Sequence, residues 1–308
     1  MTPLIRRGYP RDGLESNRLS AADKSPILLP VDQPRESSMA TIAMLNQKGG
    51  VGKTTITANL GGVLARRGRR VLLVDNDPQA SLTQGLLGPE LTASLPADVT
   101  IAAVYAGNVA RPEQVVQPTA FDGLDLLPGS ELAAEYNNGK PHEQPYETQF
   151  GLAELLGELS PRYDQILVDC PPNLNLCSWA ALSAADWVLI PVQPEDYGAQ
   201  GLPAVRRSIE LVRRVTNPRL RVLGLVVSMY QVRRTLHQVY VETLRQEYGT
   251  EVLTTCLPHA ADLPEATMLR KPVVYHKPRG AAAKALAALA DELETRLSAA
   301  NTTTEEAA

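Results

Sequence analysis

The stretch Lys48-Gly49-Gly50-Val51-Gly52-Lys53-Thr54-Thr55 decides how the rest of the chain is read. It follows the apolar run Thr41–Leu45 directly. It opens a segment in which Ile56, Leu60, Val63 and Leu64 recur at helical spacing before Gly68 ends the pattern. Strand, glycine-rich turn and helix in that order form the context that a phosphate-binding loop requires. Without Cβ atoms the glycines let backbone N–H groups turn inward around phosphate oxygens, and the helix N-terminus adds unsatisfied donors and partial positive charge. Lys53 is placed to reach β- and γ-phosphates, and the Thr54 hydroxyl to bind Mg²⁺. The generic loop has a glycine five residues before Gly52; here Gln47 stands there, and a second lysine, Lys48, follows it.

Working outward, short apolar runs alternate with stretches long enough for helices. The runs lie at Thr41–Leu45, Val71–Val74, Leu124–Leu127, Gln165–Val168, Trp187–Val192 and Val222–Val227, with a weaker one at Glu251–Leu257. Continuous apolar runs suit strands buried on both faces, so the expected fold is α/β: a doubly wound, mostly parallel sheet with helices on both faces. Residues 1–40 hold Pro3, Pro10, Pro26, Pro30 and Pro34 among scattered charges and are expected to form a disordered N-terminal extension. Residues 41–297 are expected to form a single domain around the phosphate loop, and 298–308 a flexible acidic tail. The polar stretch Asn137–Thr148 is expected to be an exposed loop.

Composition narrows the function. The chain of 308 residues has 30 Lys+Arg against 34 Asp+Glu, a net charge of -4, so it does not coat nucleic acid through overall basicity, although a local patch is open to it. The cysteines Cys170, Cys177 and Cys256 are too few and too odd in number for a disulfide framework, which fits a reducing cytoplasm. No apolar run has the length of a membrane span.

The segment Leu45–Thr55 (LNQKGGVGKTT) resembles the deviant Walker A motif of the ParA/MinD family of dimeric ATPases. Three further segments resemble later blocks of that family: Val71–Gln79 (VLLVDNDPQ), Val168–Pro172 (VDCPP) and Pro191–Glu195 (PVQPE). The resemblance runs from about Thr41 to Leu297 and implies a nucleotide site for ATP and Mg²⁺ built by Lys48, Gly49, Gly50, Val51, Gly52, Lys53, Thr54 and Thr55. It implies that Lys48 reaches the nucleotide of a second copy, so that ATP binding makes a homodimer. It implies that Asp77 orients the attacking water, and that Asp169 holds Mg²⁺ through water beside Thr54. Asp75 either supports the same water shell or caps the next helix. Lys48, Lys53 and Asp77 are thus the catalytic candidates. Pro258 is expected to pack on the adenine, in a block where His259-Ala260 departs from the family's usual Arg-Asn.

The resemblance also implies partners. Relatives bind DNA non-specifically as ATP dimers, and Arg233 matches a position used for that contact; Arg234, Arg270 and Lys271 join it as candidates. Asp262 falls where relatives often carry another arginine. The chain ends in Asp291–Leu297 and an acidic tail, without the basic amphipathic helix of membrane-targeted relatives, so no membrane partner is expected. The expected role is that of a slow ATPase, cytoplasmic and nucleoid-associated, that positions a plasmid, chromosome or protein cargo under stimulation by a ParB-like partner. The alternative is a nucleotide-switched regulator or scaffold that acts through protein partners without DNA. A metabolic P-loop enzyme would need cluster cysteines or a substrate domain, which the cysteine positions do not suggest.

Overall fold

A computed structural model of the chain describes residues 40–195 and 201–305. Of the expected N-terminal extension, residues 1–39 lie outside the described residues, and Ala40 already belongs to the first strand. Eight strands follow one another among the described residues: β1 (Ala40–Met44), β2 (Val71–Asp75), β3 (Gln117–Pro118), β4 (Leu124–Leu127), β5 (Gln165–Asp169), β6 (Trp187–Val192), β7 (Arg221–Tyr230) and β8 (Val252–Pro258). Seven of them are the apolar runs. The two-residue β3 has no such run, because it is a short antiparallel edge beside β4 with no apolar face to bury. The sheet order is β3-β4-β2-β5-β1-β6-β7-β8, and every pairing other than β3 with β4 is parallel.

Helices α1 (Lys53–Arg66), α2 (Ser81–Leu87) and α3 (Pro89–Ser94) follow the first two strands. The middle of the chain gives α4 (Ile101–Tyr105), α5 (Tyr146–Leu159), α6 (Leu176–Ala184), α7 (Leu202–Val215) and α8 (Thr235–Tyr248). The last stretch gives α9 (Asp262–Met268), α10 (Val273–His276) and α11 (Ala281–Glu305). Two cores result, one on each face of the sheet. Ile42, Leu73 and Leu167 pack with Ile56, Leu60 and Leu64 of α1 and with Leu286 and Leu289 of α11. Ala43, Val74 and Val168 pack on the other face with Leu152 of α5, Leu182 of α6, Ile209 of α7 and Val241 of α8. Neighbouring residues of one strand thus feed opposite cores, which is why the runs read as continuously apolar.

Helix α1 lies unusually close to its neighbours. A Cβ on Gly62 would stand 2.3 Å from the Pro272 Cβ. Mid-helix glycine costs roughly 1 kcal/mol against alanine, and here it admits a contact that alanine forbids. Asn59 adds a polar clamp at the same place, its Oδ1 accepting the Val273 N–H at 2.6 Å.

Two expectations change. Asn137–Thr148 is not simply an exposed loop: Pro141 is buried, α5 begins at Tyr146, and Asn137 and Asn138 cap α6. The Asn137 Oδ1 accepts the Cys177 N–H at 3.1 Å, and the Asn138 carbonyl accepts the Leu176 N–H at 3.1 Å. Polar residues at a helix start serve its orphan donors, and a reading by composition alone takes them for loop. At the other end, α11 continues through Glu305, past Leu297, where the acidic tail is expected to begin.

Candidate nucleotide site

The sheet order sets the site. β5 runs between β2 and β1, so the carboxyl ends of these three strands stand side by side, with Asp75 and Met44 both in register with Asp169. Adjacent strands are about 4.8 Å apart, and ligands of α/β sheets sit at this edge. The loop from β1 to α1 bends back over it through Gly50 at φ 76° and Gly52 at φ 89°, left-handed conformations that favour glycine. Gly49 has no positive φ, and a Cβ there would meet only Pro172 at 4.0 Å, so packing within this chain does not demand glycine at that position.

Three polar side chains from neighbouring strand ends hold the loop. Asn46 accepts the Lys48 N–H at 2.9 Å and donates to the Pro191 carbonyl at 2.7 Å. Gln193 donates to the Gly50 carbonyl at 2.8 Å, and Ser228 to the Val51 carbonyl at 2.7 Å. These residues escape the sequence reading. The available signal was a polar residue at the carboxyl end of an apolar run, which is weak alone and gains meaning only once strand adjacency is known.

The two lysines have opposite surroundings. Lys53 is buried, with its Nζ 3.4 Å from the Lys48 carbonyl. Burial pushes its ammonium below the ordinary value, opposed chiefly by Asp169. Lys48 points outward, its side chain 36% exposed, and pairs with Glu195 at 2.8 Å. That pair holds the Glu195 carboxyl below its usual range.

The carboxylates divide by what they touch. Asp75 is fully buried; its Oδ2 accepts the Thr83 N–H at 2.8 Å and the Thr83 hydroxyl at 2.7 Å. Thr83 lies in the first turn of α2, so Asp75 caps that helix, the second of the two roles open to it. Burial still lifts its carboxyl to about 6. Asp77, two residues past the end of β2, is largely buried, its Oδ1 accepting the Gln79 N–H at 3.0 Å. Asp169 differs from both: its oxygens are buried with no backbone N–H bonded to them, and only the Thr54 hydroxyl and Lys53 draw on them. Burial, with Asp75 beside it, pushes its carboxyl well above the usual carboxylate range, while Thr54 and Lys53 draw it back. A buried carboxylate left unpaired is costly. Next to the Thr54 hydroxyl it makes an all-oxygen setting that suits Mg²⁺ held through water. Cys170, fully buried, has its thiol pushed well up by burial and is no nucleophile.

Pro258, at the end of β8, lines a small apolar hollow with Thr55, Ile56 and Leu263, so the expected base contact borders the phosphate loop. The four basic candidates do not form one surface. Arg233 and Arg234 are exposed just past the carboxyl end of β7, on the rim that carries Glu195. Arg270 instead lies over Gly88, at the junction of α2 and α3. Lys271 lines a separate hollow with Arg66, Phe121 and Tyr275, at the far end of α1, roughly 20 Å from Lys53 by helical rise. Asp262 pairs with Lys277 at 2.9 Å.

Residues 39–222 match the model of a family described as AAA domain. The chain is 38% identical over 264 residues to the chromosome-partitioning ATPase Soj of Thermus thermophilus, covering 83% of this chain and 96% of that one. It is 35% identical over 261 residues to the chromosome partitioning protein ParA of Caulobacter vibrioides, covering 84% and 95%. Among solved structures, cobyrinic acid a,c-diamide synthase from Mycobacterium smegmatis, with bound ADP and magnesium, superposes with a TM-score of 0.70 at 30% identity, over 82% of this chain and 93% of that one.

Proposed function

The chain belongs to the ParA/MinD family of ATPases, and on that premise we propose that it is a ParA-like partition ATPase working as an ATP-dependent sandwich dimer. The observation that carries this reading is the contrast between its two lysines on one loop. Lys53 is buried beneath its own loop, its Nζ 3.4 Å from the Lys48 carbonyl. Lys48 faces outward from the same loop, held only by a surface ion pair, and is free to serve a second copy. A triphosphate enclosed between two protomers needs more positive charge than one lysine supplies. A lysine supplied in trans makes dimerisation depend on nucleotide, and it stabilises transferred charge as an arginine finger does.

ATP with Mg²⁺ is the cofactor pair of this reading. Thr54 would hold the ion directly and Asp169 through water, and the ion would neutralise charge on the β- and γ-phosphates. The backbone N–H groups of Gly49–Thr55 cradle the phosphates, Pro258 borders the base, and Asp77 orients the attacking water. Replacing Asp77 by alanine is expected to leave ATP binding intact and to trap the ATP dimer. Light scattering on the Mg-ATP form, with phosphate release alongside, checks this; a variant that hydrolyses ATP like the parent removes Asp77 from the water-positioning role.

The cargo reading places the protein in the cytoplasm on the nucleoid. There it binds DNA without sequence preference, and a ParB-like partner stimulates hydrolysis to move a plasmid, chromosome or protein assembly. Arg234 supports it by lying near Glu195, the ion-pair partner of Lys48, with the exposed Arg233 next to it in the chain. Among the described residues no helix is long and apolar enough to cross a membrane. A second reading, a nucleotide-switched scaffold acting through proteins, draws support from the scattering of Arg270 and Lys271 away from the rim that carries Glu195 and from the pairing of Lys277 with Asp262 and Glu265.

A salt titration of DNA binding separates the two. Binding that requires ATP and falls by roughly tenfold or more between 50 and 200 mM salt is the expected result, since a few released counterions suffice for it. Absence of binding with and without ATP would favour the scaffold.

A further inference from the structure

Asn76 sits between the two carboxylates of β2's end and is fully buried, yet neither the phosphate loop nor the metal setting uses it. Its backbone N–H and both ends of its side-chain amide are engaged. Its backbone N–H donates to the Asp169 carbonyl at 3.0 Å. Its side-chain amide donates to the Cys177 carbonyl in the first turn of α6 at 2.7 Å. Its side-chain oxygen accepts the Tyr105 hydroxyl of α4 at 2.7 Å. The Tyr105 ring in turn stacks at 6.0 Å on Tyr136, which adjoins the two asparagines that cap α6. One residue therefore ties three things together: the strand end that leads into Asp77, the strand end that carries Asp169, and the helix that follows Asp169.

Resting on the ATPase reading above, we propose that Asn76 and Tyr105 are positioning residues that fix the carboxylate of Asp77 relative to that of Asp169. The physical reason is direct. Asp169 ends β5, still paired with Asp75 in the ladder, whereas Asp77 lies two residues past the end of β2. Past the Asn76 N–H bond to the Asp169 carbonyl no ladder pairing reaches Asp77, and the side-chain bonds of Asn76 add to what sets the separation. A short amide, bonded at both ends and buried among apolar neighbours, is stiff, because every alternative rotamer leaves donors unpaired. Errors of about 1 Å in placement cost roughly 100-fold in rate, so stiffness at this point is worth having.

The test uses the full chain with Asn76→Leu, Tyr105→Phe and the double variant. Each single variant strands a buried polar partner and is expected to lower both melting temperature and turnover. The double variant removes the Tyr105–Asn76 pair together, which restores much of the stability. If the pair merely supports the fold, turnover returns with the melting temperature. The expected result is otherwise: kcat stays roughly 10- to 100-fold down while KM for Mg-ATP moves less than threefold. A double variant with kcat within twofold of the parent overturns the proposal.

Hydrogen exchange on the nucleotide-free chain reads the same point without activity. The segments 75–80 and 169–177 are expected to exchange faster in Asn76→Leu, with β7 and β8 unchanged. Unaltered exchange in both segments overturns the proposal even if turnover falls. Should the parent chain itself not hydrolyse ATP, the ATPase reading fails, and exchange alone decides the role of Asn76.

Discussion

Lys48→Ala is expected to fold as the parent does, to bind Mg-ATP, and to lose both ATP-dependent dimerisation and hydrolysis. The argument starts from what Lys48 touches. Its ammonium makes one ion pair, with Glu195, across side chains that are 36% and 62% exposed. Such pairs are worth about 0–1 kcal/mol, so melting should hardly change. The backbone of the loop does not depend on the Lys48 side chain, since Asn46, Gln193 and Ser228 hold it through backbone atoms. Lys53, the buried lysine, remains to bind phosphate. What disappears is the charge that a second copy would receive. A charge supplied in trans to a transferring phosphoryl group is worth roughly 10³–10⁵ in kcat, so turnover should fall by at least about 10³-fold. Size-exclusion chromatography with light scattering in a non-hydrolysable ATP analogue, together with phosphate release, checks both halves. A variant that turns over ATP at the parent's rate would sink the sandwich-dimer reading. One that loses nucleotide binding as well would show that Lys48 serves its own chain.

The sheet was legible because its chemistry is repetitive: runs such as Val71–Val74 and Gln165–Val168 bury both faces, and each is a strand. Lys53, Thr54 and Asp169 were legible because residue type and position coincide, a lysine and a hydroxyl after a glycine turn and a carboxylate ending an apolar strand. What stayed hidden depends on which strands are neighbours. Asn46, Gln193 and Ser228 are far apart in sequence and meet only because β6 lies next to β1 and β7 next to β6. The same cause hid Asn76, whose partners Tyr105 and Cys177 are 29 and 101 residues away. The role of Asp75 stayed open for a different reason. Two carboxylates two residues apart look alike in sequence, and only the placement of Thr83 shows that one of them caps a helix. For the basic candidates the sequence carries no placement: Arg233 is exposed past the end of β7, and Lys271 lines a hollow with Arg66 at the end of α1.

Asp169→Asn is expected to make the metal-free protein more stable and the loaded protein inactive. In the parent both Asp169 oxygens are buried with no backbone N–H bonded to them, and burial with Asp75 alongside raises the carboxyl well above its usual range. The sign follows from linkage. Below about pH 4, near the ordinary carboxylate value, folded and unfolded chains both hold the proton and Asp169 costs nothing. As the pH climbs toward the raised folded value, the unfolded chain releases its proton while the folded chain must keep it or bury an unpaired charge, so stability is lost. A neutral amide is cheaper to bury than an ionised carboxylate. In magnesium-free buffer at pH 7–8 the variant should therefore melt higher than the parent, and the gap should close as the pH is lowered toward 4. Added Mg-ATP reverses the ranking. A ligand that binds only the folded state stabilises it by about 2.7 kcal/mol at a hundredfold excess over Kd, and the parent should gain this while the variant gains little. Turnover in the variant should drop by roughly 100-fold or more, as when one electrostatic partner of a transition state is removed. Paired melting curves with and without Mg-ATP, across pH, read all of this at once. A variant that melts lower than the parent without magnesium would mean that Asp169 is a structural carboxylate satisfied by its own chain. Normal turnover would mean that the ion, if present, is held elsewhere. On the expected result the same residue is costly to the empty fold and required by the filled one, which is the condition under which a buried charge persists at a strand end.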